Sequence, residues 1–179
     1  MKVKVLGECG YEFAMLGLSL SYNRPVEEMP KVAEKLLVKG GSHVKFLESI
    51  AVWLDVIAPR LWWSQESTYR CGISRQSEST MHTVLKRPLT LYDFEDCIPP
   101  STLKRLNMLI KAKMFEAVKN ELPEGFLQRR IVCCNYKVLS HIYGQRENHK
   151  LKQWHIFLDS ILEQVKYPQF VTLRKEHNV

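Results

Sequence analysis

The stretch GSHVKFLESIAVWLDVIAP, residues 41–59, decides how the chain is read. Residues 50–58 form a run of β-branched and aromatic side chains, which predicts a mostly buried strand, and Pro59 ends it because proline cannot continue a ladder. Just before it, Gly40 and Gly41 stop an amphipathic helix marked by Val32, Leu36 and Leu37 and deliver the chain to His43 and Glu48. Taken alone, His43 reads as a helix-start cap and Glu48 as a surface carboxylate.

Working outward, residues 3–6 predict a short strand and residues 11–20 a helix with Phe13, Leu16 and Leu20 at helical spacing. After Pro59 a helix carries residues 62–65. The polar segment 69–83, with three serines and Gly72, has neither periodicity and reads as a functional loop. Ser101 suits the N-cap of a helix running to about Asn120, with Leu103, Leu106, Leu109 and Ile110 as its apolar face. Pro123 then separates a second helix, residues 125–143, from a third at 151–165, whose stripe is Trp154, Phe157, Leu158, Ile161 and Leu162. From Tyr167 onward the basic tail reads as a loose end or an edge element.

At 179 residues and 45% hydrophobic content the chain supports one substantial core and is short for two domains. We therefore expect a single domain over 1–179, with the sheet and polar loop in 42–83, a helical part in 101–165 and a tail in 166–179. There is no apolar run of about 18 residues and no signal-like start, so a soluble, unexported, cytoplasmic protein without membrane contact is expected. The five cysteines, at 9, 71, 97, 133 and 134, make no C-x-x-C pair and read as reduced thiols. The scattered histidines give no metal-ligand spacing, so no metal is expected. A net charge of +7 favours an anionic partner. Nucleotides, nucleic acid and acidic proteins all qualify, but the cations are spread along the chain, and the modest clusters at 104–113 and 128–130 read as solvated helix faces and not as a nucleic-acid stripe.

The spacing of His43, Glu48, Pro59, Gln65 and Arg70 resembles the flavin-dependent thymidylate synthases, the ThyX family. There a G-H-x-x-x-x-E segment leads into a strand, followed by a Pro, a Gln and an Arg-His-Arg triplet whose last member matches Arg70. A second block agrees: Leu122, Pro123, Asn135, Leu139 and Arg146 fall at the family's offsets, and Gln153-Trp154 repeats a pair found in some members, one residue late. The chain departs from the family at Thr68 and Tyr69, which replace the first two members of the triplet. Met81 stands where a loop arginine is usual, and Lys137 replaces an arginine.

What the resemblance implies is an α/β (α+β) fold with a central, mostly antiparallel sheet and a helical C-terminal half. It also implies reductive methylation of dUMP, or a related reaction on a pyrimidine deoxynucleotide, using FAD, with NADPH and a folate methylene donor, in a homotetramer. Arg146 would hold and polarise the pyrimidine as the catalytic residue, because its planar fork suits the uracil edge. Arg70, Ser79 and Lys137 would join it in binding substrate, while His43, Gln65, Tyr69, Asn135 and Gln153 would lie toward the flavin. The alternative is an inactive protein of the same fold that binds, senses or sequesters a nucleotide. Cys71 beside Arg70, the Trp62–Trp63 pair, and Glu66 with Glu78 read as weaker candidates for chemistry.

Overall fold

The computed structural model describes residues 1–172. Strand β2, Ala51–Pro59, lies inside a four-stranded sheet in the order β1-β2-β4-β3, every pairing antiparallel. β1 is Lys2–Cys9, β3 is Ser74–Ser77 and β4 is Leu127–Asn135. Alternate residues of a strand face opposite sides, and in β2 Val52, Leu54, Val56 and Ala58 are buried while Trp53 is exposed. Ala51 stands opposite Asn135 and Pro59 opposite Leu127, so β2 and β4 are in register along their whole length. β1 pairs on the other side with a bulge between Val5 and Gly7.

β4 corrects the sequence reading, which placed a helix over 125–143. The segment LQRRIVCCN alternates: Val132 and Cys134 turn into the core, while Arg129 and Cys133 turn to the other face. Strand and helix compete for a short apolar run of this kind, and the ladder to β2 settles it. Asn135 closes the strand and opens helix α7, Tyr136–Arg146, its Oδ1 accepting the Val138 N–H at 2.9 Å. That is an N-cap, the role asparagine fills best. The C-terminal half therefore contributes a central strand as well as helices.

Helices α1 (Tyr11–Tyr22), α2 (Met29–Lys39), α3 (Arg60–Glu66) and α8 (Lys152–Gln164) join α7 over the apolar face of the sheet. Trp62, Trp63, Trp154 and Tyr136 are the large fully buried side chains of this core. The helix expected over 101–120 is two: α5, Pro100–Lys111, and α6, Phe115–Glu121, broken where Lys113 takes a left-handed φ of 55°. With residues 84–94 they enclose a second apolar cluster around Leu106 and Val118. Helix α4, Thr80–Thr83, and β3 lie within the segment read as a loop.

Two further expectations change. In α1 it is Ala14, Met15, Leu18 and Ser19 that are buried, whereas Phe13, Leu16 and Leu20 face outward. Through residue 172 the tail is docked, not loose: Tyr167 stacks on Tyr11 at 4.3 Å, and Phe170 and Val171 are buried. The hydroxyl of Tyr136 donates to Glu8 and accepts from the Tyr167 N–H at 3.2 Å, and Glu8 also accepts the Lys166 N–H at 2.9 Å. Residues 173–179 of that expectation lie outside the described residues. Among the described residues no helix is long and apolar enough to cross a membrane.

Because Asn135 serves strand and helix at once, Asn135→Ala should cost about 1 kcal/mol in urea unfolding. Asn135→Asp, which keeps the accepting oxygen, should cost much less. Equal losses would show that the cap is not what the side chain contributes.

Candidate functional site

The last turn of α7 carries Arg146, and a helix C-terminus favours a cation. Its Nε donates to the Tyr69 hydroxyl at 2.8 Å, and its guanidinium lies over the Trp154 ring, 4.8 Å from the centroid. Both contacts fix the plane of the guanidinium. Among the described residues neither Nη atom has a hydrogen-bond partner, so the outer edge of the fork retains its donors.

The partners are themselves held. The Tyr69 hydroxyl donates to Gln145 Oε1 at 3.0 Å, which leaves its lone pair for Arg146. Trp154 Nε1 donates to Gln65 Oε1 at 2.9 Å, tying α8 to α3. His141 approaches the edge of Tyr69 and His149 the edge of Trp154. His149 Nδ1 accepts the Leu151 N–H at 3.1 Å. Desolvation, then the charges of Arg146 and His155, push His149 below its ordinary range.

Beneath the turn at 66–69 sits a buried ion pair. Arg75 Nε donates to Glu66 Oε2 at 2.7 Å, and its Nη2 donates to the carbonyls of Tyr69 at 2.6 Å and Glu66 at 3.1 Å. Arg75 thereby fixes the backbone from which Tyr69 projects. Burial pushes the Glu66 carboxyl up, against the downward pull of Arg75.

Sequence-predicted residues fall into two groups. Gln65, Tyr69, Asn135 and Arg146 gather along α7, because the turn after Tyr69 runs back along that helix: Gly72, at φ 70°, is so close that a Cβ would stand 3.0 Å from Val138 Cγ2 and 3.3 Å from Asn135 Nδ2. Arg70, between these contacts, is exposed. Lys137, at the start of α7, donates to the Gly41 carbonyl at 2.7 Å. The others lie apart. Ser79 follows β3 and Glu78, whose N–H bonds the Arg129 carbonyl, at the opposite end of β3 from the Gly72 turn. Gln153 is buried and donates to Glu95 at 3.4 Å. His43 is exposed in the short 3-10 segment Gly41–Ser49, where it lines a groove of about 390 Å³ against Phe13 and Gly17 of α1.

Sequence reasoning missed the residues that orient Arg146: Gln145, Glu66 with Arg75, and Trp154, which it assigned to the core alone. The Gln-Trp pair at 153–154 was the available signal for Trp154. Nothing in one sequence marks Arg75 as the partner of Glu66. Among the described residues no three His, Cys, Asp or Glu side chains cluster as metal ligands would.

Two solved structures resemble the whole chain. One is thymidylate synthase X of Helicobacter pylori with FAD and dUMP, with a TM-score of 0.76 at 13% identity over 97% of this chain and 98% of that one. The other is flavin-dependent thymidylate synthase ThyX from the same organism, also with FAD and dUMP, with a TM-score of 0.78 at 14% identity over the same shares. The chain has the ThyX fold. No protein-family model matches it, and no curated protein sequence does. At such low identity the likeness fixes the ThyX architecture and leaves the chemistry to the side chains.

The clasp under the turn makes a prediction with a pH signature. Arg75→Met strips the partner from a buried carboxylate and should cost about 3 kcal/mol near neutral pH in urea unfolding. A carboxyl whose folded pKa is raised is a burden while ionised, and protonation on acidification relieves it. The deficit of the variant relative to the natural protein should therefore shrink as pH falls from neutral toward the ordinary carboxylate range. A deficit that stays constant would mean that the buried charge is not its source.

Proposed function

We propose that this chain binds a pyrimidine deoxynucleotide and works as a divergent flavin-dependent thymidylate synthase, reductively methylating dUMP or a close relative. What supports the reading is the unpaired outer edge of Arg146, held in plane by Tyr69 and Trp154 in a chain with the ThyX fold. Guanidinium N–H donors suit the carbonyl oxygens of a uracil edge, and a fixed cation stabilises negative charge developing on that ring. Exposed Arg70 would meet the phosphate.

FAD is the proposed cofactor, supplying the hydride that amino-acid side chains lack. Gln65 and Asn135 accept hydrogen bonds through their amide oxygens, which leaves their NH₂ groups as donors for a flavin ring. His43 and Ser79, which sit apart from Arg146 within one protomer, would complete the site from a neighbouring copy in a homotetramer. NADPH and a folate methylene donor complete the proposed reaction.

A second reading has its own observation. At the two positions where the family carries Arg and His, Thr68 gives its hydroxyl to the Gln65 carbonyl at 2.7 Å, and the Tyr69 hydroxyl is engaged on both sides. Neither offers a charge to a cofactor. A nucleotide-binding protein without flavin would keep Arg146 and lose the rest.

The visible spectrum of the purified protein and calorimetric titration with dUMP separate these readings. Bound flavin, dUMP binding and rescue of a thymidine-requiring strain are expected. Arg146→Ala should weaken dUMP binding about tenfold to a hundredfold, the value of a lost charge-assisted pair. Tyr69→Phe should weaken it less, by freeing the guanidinium without removing it. Colourless protein that binds dUMP would favour the second reading, and dUMP affinity unchanged by Arg146→Ala would sink both.

A further inference from the structure

Residues 147–151, ENHKL, turn the chain from α7 into α8, and His149 is held there on three sides. Its N–H bonds the Arg146 carbonyl at 3.0 Å, its Nδ1 accepts the Leu151 N–H at 3.1 Å, and its carbonyl lies 2.7 Å from His155 Nε2. The imidazole has little freedom to turn. It stands 6.3 Å from the Trp154 ring in an edge arrangement, and the same indole carries the Arg146 guanidinium over its face at 4.8 Å. One indole thus seats both groups.

The two ring nitrogens of a histidine are not equivalent, since the one that accepts a hydrogen bond leaves the proton of the neutral ring to the other. With Nδ1 accepting, the proton is on Nε2. Among the described residues Nε2 has no partner, and the residue is partly exposed. The surroundings also oppose charge on the ring: an imidazolium would have to give up the Leu151 bond, and desolvation, then the charges of Arg146 and His155, disfavour it further. His149 in that way offers a neutral, oriented donor next to the open fork of Arg146.

We propose that the Nε2–H of neutral His149 is a second donor to the pyrimidine base, meeting one ring carbonyl while Arg146 meets the other. The assignment rests on the nucleotide binding proposed above and adds to that site a residue that the spacing shared with the ThyX family does not include. A carbonyl is a better match than a phosphate, because a dianion would draw a proton onto the ring and break the Nδ1 bond to Leu151. Donors at both carbonyls also choose among bases. Uracil presents a carbonyl on each side of its N3, whereas cytosine puts an amino group in place of one, so that a donor would face a donor and a buried polar pair would go unmade. His149 is then a specificity-determining residue.

Long-range proton–nitrogen NMR spectra of the natural chain test the donor itself. The ring should be the Nε2–H form, and Nε2 should shift when deoxyuridine or dUMP is added while Nδ1 keeps the shift of an acceptor. In calorimetric titrations His149→Asn, which retains an accepting oxygen for the Leu151 N–H and loses the distal N–H, should weaken dUMP and deoxyuridine by the same factor, about threefold to tenfold. His149→Gln, whose amide reaches the Nε2 position, should restore most of that loss, and the natural chain should bind dUMP about tenfold tighter than dCMP. An Nδ1–H ring would overturn the assignment, as would equal affinity for dUMP and dCMP. A loss confined to dUMP would place His149 on the phosphate and overturn it too. Should the variants fail to fold, the spectra of the natural chain decide. Binding that Arg146→Ala weakens and His149→Asn leaves unchanged defeats this assignment alone, whereas a natural chain that binds neither dUMP nor deoxyuridine defeats the proposed function with it.

Discussion

The ladder between β2 and β4 is the constraint on which the remainder depends. It joins residues 51–59 to 127–135 across an intervening segment that folds back on itself around a second apolar cluster. The cost of closing so long a loop grows only slowly with its length, so burial along the ladder can meet it. Register is not negotiable. A slip by one residue would turn Val132 and Cys134 outward and drive Arg129, now paired with Asp55 at 2.8 and 2.6 Å on the open face, into the core. The same register fixes where Asn135 ends the strand, hence where α7 begins and where its last turn places Arg146.

Three arginines near α3 show how surroundings divide one residue type into different roles. Arg75 is saturated by a buried carboxylate and two carbonyls, which makes it a structural tie. Arg130 lies 4.3 Å over Trp63, its Nε is buried without a partner, and desolvation lowers its pKa. Arg146 spends one N–H and one face on protein and keeps the outer edge. A guanidinium immobilised in this way has lost its rotamer freedom before any ligand arrives, so a planar acceptor pair need not supply that ordering cost.

Much of this was legible in the sequence, and the failures have physical causes. β2 was readable because IAVWLDVIA is β-rich and bounded by proline, and α8 because its stripe repeats at 3.6 residues through Trp154, Phe157 and Ile161. β4 was misread because its ladder partner lies some 76 residues earlier, where no local window reaches. The α1 stripe was seen in the right period, but it marks the outward face: Ala14, Met15, Leu18 and Ser19 pack inward while Phe13, Leu16 and Leu20 face out, and a helix apolar on both sides gives the pattern no direction. At the candidate site, the family resemblance pointed to Arg146, Gln65 and Asn135, which the fold brings near α7 and its partners. It could not find Gln145 or Arg75, because their value lies in contacts made across the fold.

The resemblance to the ThyX family would set an imidazole at position 69, where this chain has a phenol. An imidazole in that place would offer a titratable group toward a ligand, but it would also stand close to Arg146, where the two cations would repel each other. The phenol accepts from Nε and donates a hydrogen bond to Gln145 Oε1, so Arg146 gains a fixed partner. His149 comes next to the guanidinium, and desolvation, then the charges of Arg146 and His155, lower its pKa. The Arg146 guanidinium is thus an oriented fork with its outer edge open. That arrangement suits a planar edge that carries hydrogen-bond acceptors.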